Sequence, residues 1–405
     1  MPRLLRALLC VAAVGTPAAA TAQGVPTEPV RVFGGRLVLS GEAALTVGTP
    51  DHESYFNFTD YERNALRNLR LSLTGLWQPA DRLAFVGEVR SEDFQSAGAY
   101  AAYVRLRPWR ERSFDIQAGR IPPVFGAFGR RSYSSDRTLI GYPLAYQYLT
   151  SLRADAVPAT ADDLLAMRGR GWRSNFPVGS PVGAAGVPLV SAFRWDTGVQ
   201  ARWSGSLADA AFSVTTGTLS RPRVADDNDS KQISGRFAVK PIAGLVAGIS
   251  GARGGWVARS VPLPVRHSRG DLAQTAFGAD AEYSRDYWLV RGELIWSRWR
   301  LPFVTTPAEG PTLEARGMWV EGRYRITPRW YAAARADRLD FSNITGTLFS
   351  NVATPWEAPV LRYEAGGGYY VMRNLVARAA VQRNVRDGGR VRSRTFLTGQ
   401  VAYWF

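Results

Sequence analysis

Hydrophobic and polar residues alternate with a period of two along most of this chain. Leu37, Leu39, Gly41, Ala43, Leu45 and Val47 make one face of a first segment, with Arg36, Ser40, Glu42 and Thr46 on the other. Leu69, Leu71, Leu73 and Trp77 then alternate with Asn68, Arg70, Ser72 and Thr74, and Leu83, Phe85, Gly87 and Val89 with Glu88, Arg90 and Glu92. In the fourth segment Tyr100, Ala102, Val104 and Leu106 oppose Tyr103, Arg105 and Arg107, and a fifth runs from Phe114 to near Gly119. The pattern resumes at Trp195 and continues through about 208–218, 231–240, 243–252, 273–284, 286–298, 314–326, 329–341, 359–371, 374–385 and 393–405. Period-two alternation puts one residue set on each face of a β-strand, so the chain predicts about sixteen strands. One face is apolar and the other carries about two charges per strand, which fits a transmembrane barrel with a lipid-facing exterior and a wet lumen.

The connections support this reading. Short turns follow every second strand, at 78–82, 107–112, 204–207, 240–243, 284–287, 326–329 and 371–374, and the others are longer, notably 48–63, 219–230, 253–272, 299–312 and 342–358. Trp77, Trp109, Tyr283, Trp288, Tyr324, Trp330, Tyr331 and Tyr369 gather beside the short turns and predict an aromatic girdle at one membrane interface. Residues 1–22 read as a signal peptide: Arg3 and Arg6 precede an apolar stretch, and Ala20-Thr21-Ala22 supplies a small-residue cleavage site. Residues 23–405 are then one barrel domain. The single cysteine, Cys10, lies in the signal, so no disulfide framework or thiolate metal site is expected.

Formal net charge is +16, nearly all of it from arginine. Without zinc-finger spacing or a continuous basic run, an exported chain of this kind points to an anion path or to lipopolysaccharide phosphates, and away from nucleic acid. The basic side chains expected to line the pore include Arg70, Arg90, Arg105, Arg107, Arg202, Arg236, Arg323, Arg335, Arg362 and Arg378, with Asp115 and Glu293 among the acidic ones. Fifteen basic positions against twelve acidic on that face predict a modest anion preference; a wall of salt bridges that only stiffens the barrel is the alternative.

Residues 121–193 make the longest connection and predict a loop folded inward as a constriction. Its candidate residues are Arg130, Arg131, Asp136, Arg137, Tyr142, Tyr146, Asp162, Asp163 and Arg168. Thr160 precedes Ala161–Arg168 as an N-cap, with Asp162 and Asp163 in the first helical turn. Tyr142, Tyr146 and Tyr148 suit either packing of the loop or an aromatic slide for sugar rings.

No enzyme is expected. His52 and His267, the two histidines, fall in external loops with no Gly-x-Ser-x-Gly or comparable motif beside them. Asp226-Asp227-Asn228-Asp229 lacks EF-hand spacing and reads as a solvated loop tip. No cofactor and no metal is expected.

The whole mature pattern resembles the sixteen-stranded porins of Gram-negative bacteria. Thr395, Leu397, Gly399, Val401, Tyr403 and Phe405 share one face of the last strand, which resembles the C-terminal signal of outer-membrane proteins. That resemblance implies recognition of Tyr403 and Phe405 by the barrel-assembly machinery. Asp115-Ile116-Gln117-Ala118-Gly119-Arg120-Ile121-Pro122-Pro123-Val124-Phe125-Gly126 is similar to a strand-to-loop passage of the phosphate-selective porin group. Those porins carry pore lysines, whereas this chain has only Lys231 and Lys240. The resemblance implies an outer-membrane homotrimer passing small hydrophilic solutes. A substrate-specific channel for phosphate, organic anions or sugars, and a non-conducting structural or adhesive barrel, stay open beside it.

Overall fold

The computed structural model describes residues 26–51, 56–58, 64–109, 111, 113–228, 230–263, 271–302, 312–389 and 391–405. The expected signal peptide, residues 1–22 with Cys10, both histidines and Asp229 lie outside the described residues.

Sixteen long strands follow one another as an antiparallel meander. They are β1 (Leu37–Gly48), β2 (Asn68–Ala80), β3 (Leu83–Glu92), β4 (Ser96–Leu106), β5 (Phe114–Ile121), β6 (Asp196–Ser204), β7 (Ala208–Thr215) and β8 (Gln232–Val239), then β9 (Leu245–Gly255), β10 (Ala273–Arg285), β11 (Trp288–Arg300), β12 (Thr312–Arg325), β13 (Trp330–Phe341), β14 (Val360–Met372), β15 (Leu375–Arg386) and β16 (Ser393–Trp404). β1 pairs with both β2 and β16, which closes the sheet on itself. Closure removes the exposed edges that would otherwise leave backbone groups unpaired in lipid. A short N-terminal segment, Val30–Val32, folds back along Leu37–Leu39.

The alternation read from the sequence is the in–out pattern of the wall. Ile249 on the outer face is 64% exposed, whereas Asp337 on the inner face is 1% exposed. Leu45, Val47, Phe212, Phe277, Leu294, Val320, Leu397 and Val401 all show their side chains outward. A continuous apolar exterior around a charged interior inverts the arrangement of a water-soluble barrel. This is a membrane-spanning wall.

Short turns lie at one end. There the girdle pairs across strands: Trp77 stacks on Phe85 with ring centroids 5.2 Å apart, Trp288 meets Tyr324 at 4.7 Å and Trp330 meets Tyr369 at 4.6 Å. Tyr331 departs from the expected girdle. It follows Trp330 directly in an extended strand, so it points inward, and its hydroxyl donates to the Thr138 carbonyl at 2.9 Å. Tyr100 is a second correction. Glu88 pairs with Ala101 and Val89 with Ala99, which leaves Tyr100 as a bulge residue. The bulge turns its ring inward, fully buried, instead of outward with Ala102. One connection on the opposite end is also short: residues 93–95 join β3 to β4, with Asp93 and Phe94 both left-handed at φ 54° and 55°.

Candidate functional site: the lumen

The inner faces of the strands converge on the segment between β5 and β6, residues 122–195. This segment is an irregular chain with two short helices, α1 (Leu144–Gln147) and α2 (Ala161–Ala166). Thr160 caps α2 as expected: its hydroxyl accepts from the Asp163 N–H at 3.3 Å while the Asp163 carboxylate accepts from the Thr160 N–H at 2.8 Å.

An irregular segment inside a barrel has backbone N–H and C=O groups with no sheet to join. The wall supplies the partners. Glu42 of β1 accepts from the Ser134 and Ser135 N–H groups, both at 2.8 Å. Glu293 of β11 accepts from Ala127 at 3.0 Å, Asp337 of β13 from Leu144 at 3.1 Å, and Glu364 of β14 from Gly141 at 2.8 Å. Arg362 donates to the Tyr142 carbonyl at 2.8 Å and to the Phe56 carbonyl at 2.8 Å, and Arg378 donates to the Ser134 carbonyl at 2.7 Å. These acceptors and donors stand on the arc of wall from β11 through β16 to β1, across the barrel from β5 and β6 where the segment begins and ends, so the segment lies across the interior. The apolar side chains beneath form one cluster. Phe125, Phe128, Tyr142, Tyr146 and Tyr148 are buried in it with Phe56, Trp299 and Trp356 from other connections and the wall. The three tyrosines therefore serve packing.

Six of the expected pore-lining residues point inward but are covered by this segment: Arg70, Arg90, Glu293, Arg335, Arg362 and Arg378 are each at most 5% exposed. Arg70, Arg90 and Arg335 are ion-paired, whereas Glu293, Arg362 and Arg378 are held by neutral hydrogen-bond partners. Arg70 pairs with Glu92 at 2.7 Å and meets the Tyr142 hydroxyl at 2.5 Å. Arg90 pairs with Glu88 at 3.1 Å and lies 3.4 Å over the Tyr100 ring. Arg335 holds three carboxylates, Glu321 at 3.2 Å, Asp337 at 2.9 Å and Glu364 at 2.6 Å. Removal from water makes an unpaired guanidinium costly, and this multiple pairing offsets that cost. Arg323 is half-buried near the Tyr331 ring.

The loop candidates divide similarly. Arg131 pairs with Glu282 of β10, and Tyr133 donates to Glu88. Arg137 lies 4.2 Å over the Tyr142 ring and donates to the Ile140 carbonyl at 2.5 Å. Burial, with Glu42 nearby, pushes the Asp136 carboxyl above its ordinary range. Asp162 accepts from the Leu348 N–H at 2.9 Å and from the Thr347 hydroxyl, and these bonds hold its carboxyl below the ordinary range. Arg168 donates to the Pro355 carbonyl at 3.0 Å. Arg130 sits in the single turn Gly129–Arg131, its side chain outside the described set. Asp226 and Asp227 are matched by Lys231 and by Arg223 and Arg221.

A different environment appears on the wall from β4 to β8. Here a cavity of about 470 Å³ opens at the short-turn end, lined by Arg105, Arg107, Asp115, Arg202, Asp209 and Arg236 among others. Arg236 pairs with Asp280, and Asp209 with Lys240 at 2.8 Å. Arg105, Arg107 and Arg202 make no ion pair among the described residues. Ala211 stands between Arg202 and Arg236 in the cross-strand register, and its small side chain leaves the space open. One residue row further in, a polar collar narrows the cavity. Gln200 donates to Gln117 at 2.5 Å, Gln117 to Asp115 at 2.6 Å, and the Ser213 and Ser234 hydroxyls lie 2.7 Å apart. Beyond the collar, a void of about 30 Å³ is bounded by Pro123, Ser191, Asp196, Thr215 and Gln232, room for two or three water molecules at roughly 10–15 Å³ each.

Several docking residues carried no periodic signal. Phe56, Asn57, Trp356 and Glu357 lie in the connections after β1 and β13. Glu357 accepts from the Ser151, Gly169 and Ala358 N–H groups at 2.6–2.7 Å, and burial pushes its carboxyl up. The connection that holds Trp356 and Glu357 also carries Ile344, Leu348, Phe349 and Val352, so no sequence signal singles the pair out.

Solved structures share this architecture across nearly the whole chain. The anion-selective porin from Comamonas acidovorans superposes with a TM-score of 0.53 at 10% identity, covering 91% of this chain and 99% of that one. The fold is that of the Gram-negative porins. The outer-membrane channel DcaP of Acinetobacter baumannii matches with a TM-score of 0.53 at 10% identity over 93% of this chain and all of its own. OmpT, an outer-membrane protein of Vibrio cholerae, matches in its trimer form with a TM-score of 0.53 at 10% identity, over 91% of this chain and 99% of that one. No family profile and no curated protein sequence matches the chain. Identities this low make the porin likeness one of fold.

Proposed function

We propose that this chain is a non-enzymatic porin-type channel of the Gram-negative outer membrane, exported by residues 1–22, that passes small hydrophilic solutes with a modest preference for anions. The observation that carries the reading is the contrast along the inner wall. Arg70, Arg90, Arg291 and Arg335 are buried beneath the docked 122–195 segment and ion-paired with carboxylates of the wall, while Arg105, Arg107 and Arg202 line a wet cavity with no ion pair among the described residues. Guanidiniums without counter-ions in a confined aqueous path favour anion entry. The 122–195 segment acts as the constriction, confining passage to the side of the lumen bounded by β4–β8. The likeness to an anion-selective porin and to an outer-membrane channel supports the reading, and the likeness to a porin-fold protein in trimer form supports a homotrimer. The alternating last strand to Phe405 fits recognition by the barrel-assembly machinery.

A second reading has its own observation. The collar of Gln117, Gln200, Ser213 and Ser234 is almost wholly buried, which favours a substrate-specific channel over a general one. Planar-bilayer recording on the folded full chain tests both. Discrete conductance steps with a zero-current potential of anionic sign under a KCl gradient are expected. Absence of steps would overturn the channel, and a cationic sign would overturn the anion preference. Conductance well below that of a general porin, blocked by a defined solute, would favour the second reading.

A further inference from the structure

The inward residues of β5–β8 form successive rows from the short-turn end to the long-connection end, and strand register fixes each row. The first holds Asp115, Arg202, Ala211 and Arg236, and the second is the collar of Gln117, Gln200, Ser213 and Ser234. The third holds Gly119, Gly198, Thr215 and Gln232, and in the fourth Ile121 stands opposite Asp196. Charge gives way to amides and hydroxyls, and then to two glycines that leave the wall bare. The void of about 30 Å³ lies at that bare row, between the collar serines and Asp196. Cavity, collar and void therefore follow one another along the same wall. The Ser191 hydroxyl lines the void, and Gln200 Oε1 belongs to the collar. Both atoms are buried and have no hydrogen-bond partner among the described residues. Buried polar atoms left open beside a polar void belong to a hydrated path and not to a packed core.

The chain just after β7 ends this path. A connection usually leaves its strand into solvent. Here Gly217, Thr218, Leu219 and Ser220 are all buried, and exposure returns only at Val224. Thr218, Leu219 and Pro222 line the void beyond the last residue of β7, so they roof it. The base of this strap is pinned to the start of β6. The Asp196 carboxylate accepts from the Gly217 N–H at 3.0 Å and from the Arg223 N–H at 2.9 Å, and Thr197 exchanges backbone bonds with Thr216 and Arg223. Between the two pins, Thr218 and Arg221 close a tight turn through mutual backbone bonds of 3.1 and 3.0 Å. A β-carbon on Gly217 would lie 2.6 Å from the Arg221 carbonyl oxygen, so the turn closes over a glycine. The tip is held elsewhere. The Leu219 carbonyl accepts from the Ser191 N–H at 2.7 Å, and Gln274 of β10 accepts from the Ser220 N–H at 3.1 Å and from its hydroxyl at 2.9 Å. Gln274 is itself oriented by donating to the Leu189 carbonyl and the Ser297 hydroxyl, both at 3.0 Å.

We propose that residues 216–223 are a hinged gate over the long-connection end of the β5–β8 path, its base turning on Asp196 and its tip, Leu219 and Ser220, latched by Ser191 and Gln274. The inference rests on the reading of this wall as the conducting side of a channel. With the tip seated, the path beyond the collar is only wide enough for water. With the tip lifted, the void joins the space outside and small solutes can follow. Three hydrogen bonds and one buried leucine hold the tip, whereas each neighbouring strand is held by a full ladder. Opening is therefore a local event that leaves the wall intact.

Single-channel recording of the full folded chain in planar bilayers, with KCl as the only solute, tests the gate. The wild-type chain is expected to switch between a low and a high conductance level and to favour the low one. L219A/S220A loosens the tip and leaves the base intact, and should raise the ratio of time spent high to time spent low at least about tenfold. S220A alone removes one bond of the three and should raise it about three- to fivefold. D196N unpins the base and should raise it as well. V224A, just beyond the strap, should leave both levels and their ratio unchanged. Heat-modifiable gel mobility shows that each barrel is folded. An unchanged ratio in folded L219A/S220A and D196N overturns the gate. So does a single, steadily larger conductance in L219A/S220A, which would make the tip a fixed constriction. Absence of conductance steps in every folded chain, wild type included, overturns instead the channel reading on which the gate rests.

Discussion

The Tyr146 hydroxyl donates to Glu293 at 2.7 Å and ties helix α1 to strand β11, 147 residues further along the chain. Glu293 has two other donors, the Ala127 N–H at 3.0 Å and the Trp319 indole N–H at 3.3 Å. Tyr146→Phe removes one bond of three and leaves the ring packing in place. The expected cost is about 1–2 kcal/mol, felt in the docked segment and not in the wall. Hydrogen–deuterium exchange should show faster exchange across 122–150 with β10–β12 unchanged. Uniform exchange in both regions would show that this bond does not anchor the segment.

Gly126 sits beside the same carboxylate with φ +72°. A β-carbon there would strike the Tyr146 hydroxyl and approach Glu293 Oε1 to 2.5 Å. Gly126→Ala combines left-handed strain of about 1–2 kcal/mol with that clash. It should shift the α1 region off its acceptors and raise open-channel current noise in bilayers, while the closed barrel still shows heat-modifiable mobility. Quiet, unaltered currents would count against the docked conformation.

The wall was legible in the sequence because a strand in a two-faced sheet has to alternate, and lipid outside with charge inside makes the alternation strong. β13 and β15, expected at 329–341 and 374–385, lie at Trp330–Phe341 and Leu375–Arg386. Tyr100 was misplaced because a single bulge residue flips the facing of everything on one side of it, and nothing in Ser96–Leu106 marks the bulge. The lumen was half legible. The inward facing of Arg335 and Arg362 followed from period two, but their burial depends on where 122–195 docks. That docking is written in isolated contacts such as Gly141 to Glu364, which have no periodicity to detect.

Replacing Arg105, Arg107 and Arg202 together by glutamine removes the ion-pair-free charges of the cavity and leaves its volume nearly unchanged. The anion-to-cation permeability ratio should fall by about two- to fivefold, more at low ionic strength, because salt screens these exposed charges. Reversal potentials at two KCl concentrations measure it. An unchanged ratio would move selectivity elsewhere in the lumen.

Gly41 faces the end of the chain. Its N–H donates to the Phe405 carbonyl at 3.1 Å and its carbonyl accepts from the Phe405 N–H at 3.0 Å. A β-carbon at Gly41 would lie 2.8 Å from the Phe405 ring, whereas one at Gly87 would meet nothing within 4 Å. Gly41→Val should therefore lower the fraction of folded, heat-modifiable barrel during refolding, and Gly87→Ala should not. Equal yields would show that the Phe405 ring can move aside at no cost.

Asp162 links α2 to the Thr347–Phe349 turn, and its carboxyl lies below the ordinary value of 3.8. A depressed folded-state value means that the link contributes stability above the unfolded value and loses it as pH falls through the folded one. Proteolysis of the 342–353 connection should therefore be constant from pH 8 to about pH 5 and rise only below pH ~4. Asp162→Asn should show the low-pH rate at every pH. A rise centred near neutrality would exclude Asp162 as the group responsible.

The acceptors that hold 122–195 come from β1, β11, β13 and β14 together. No nascent hairpin contains them all, since β1 meets β16 only when the last strand arrives. The segment thus has no complete berth while the sheet is still open, and its seating must be a late event in assembly. Before then its phenylalanines and tyrosines are unsheltered, and the unfinished barrel presents a sticky interior to whatever escorts it through the periplasm. Chain closure and lumen filling are in this way ordered in time by where a handful of carboxylates sit.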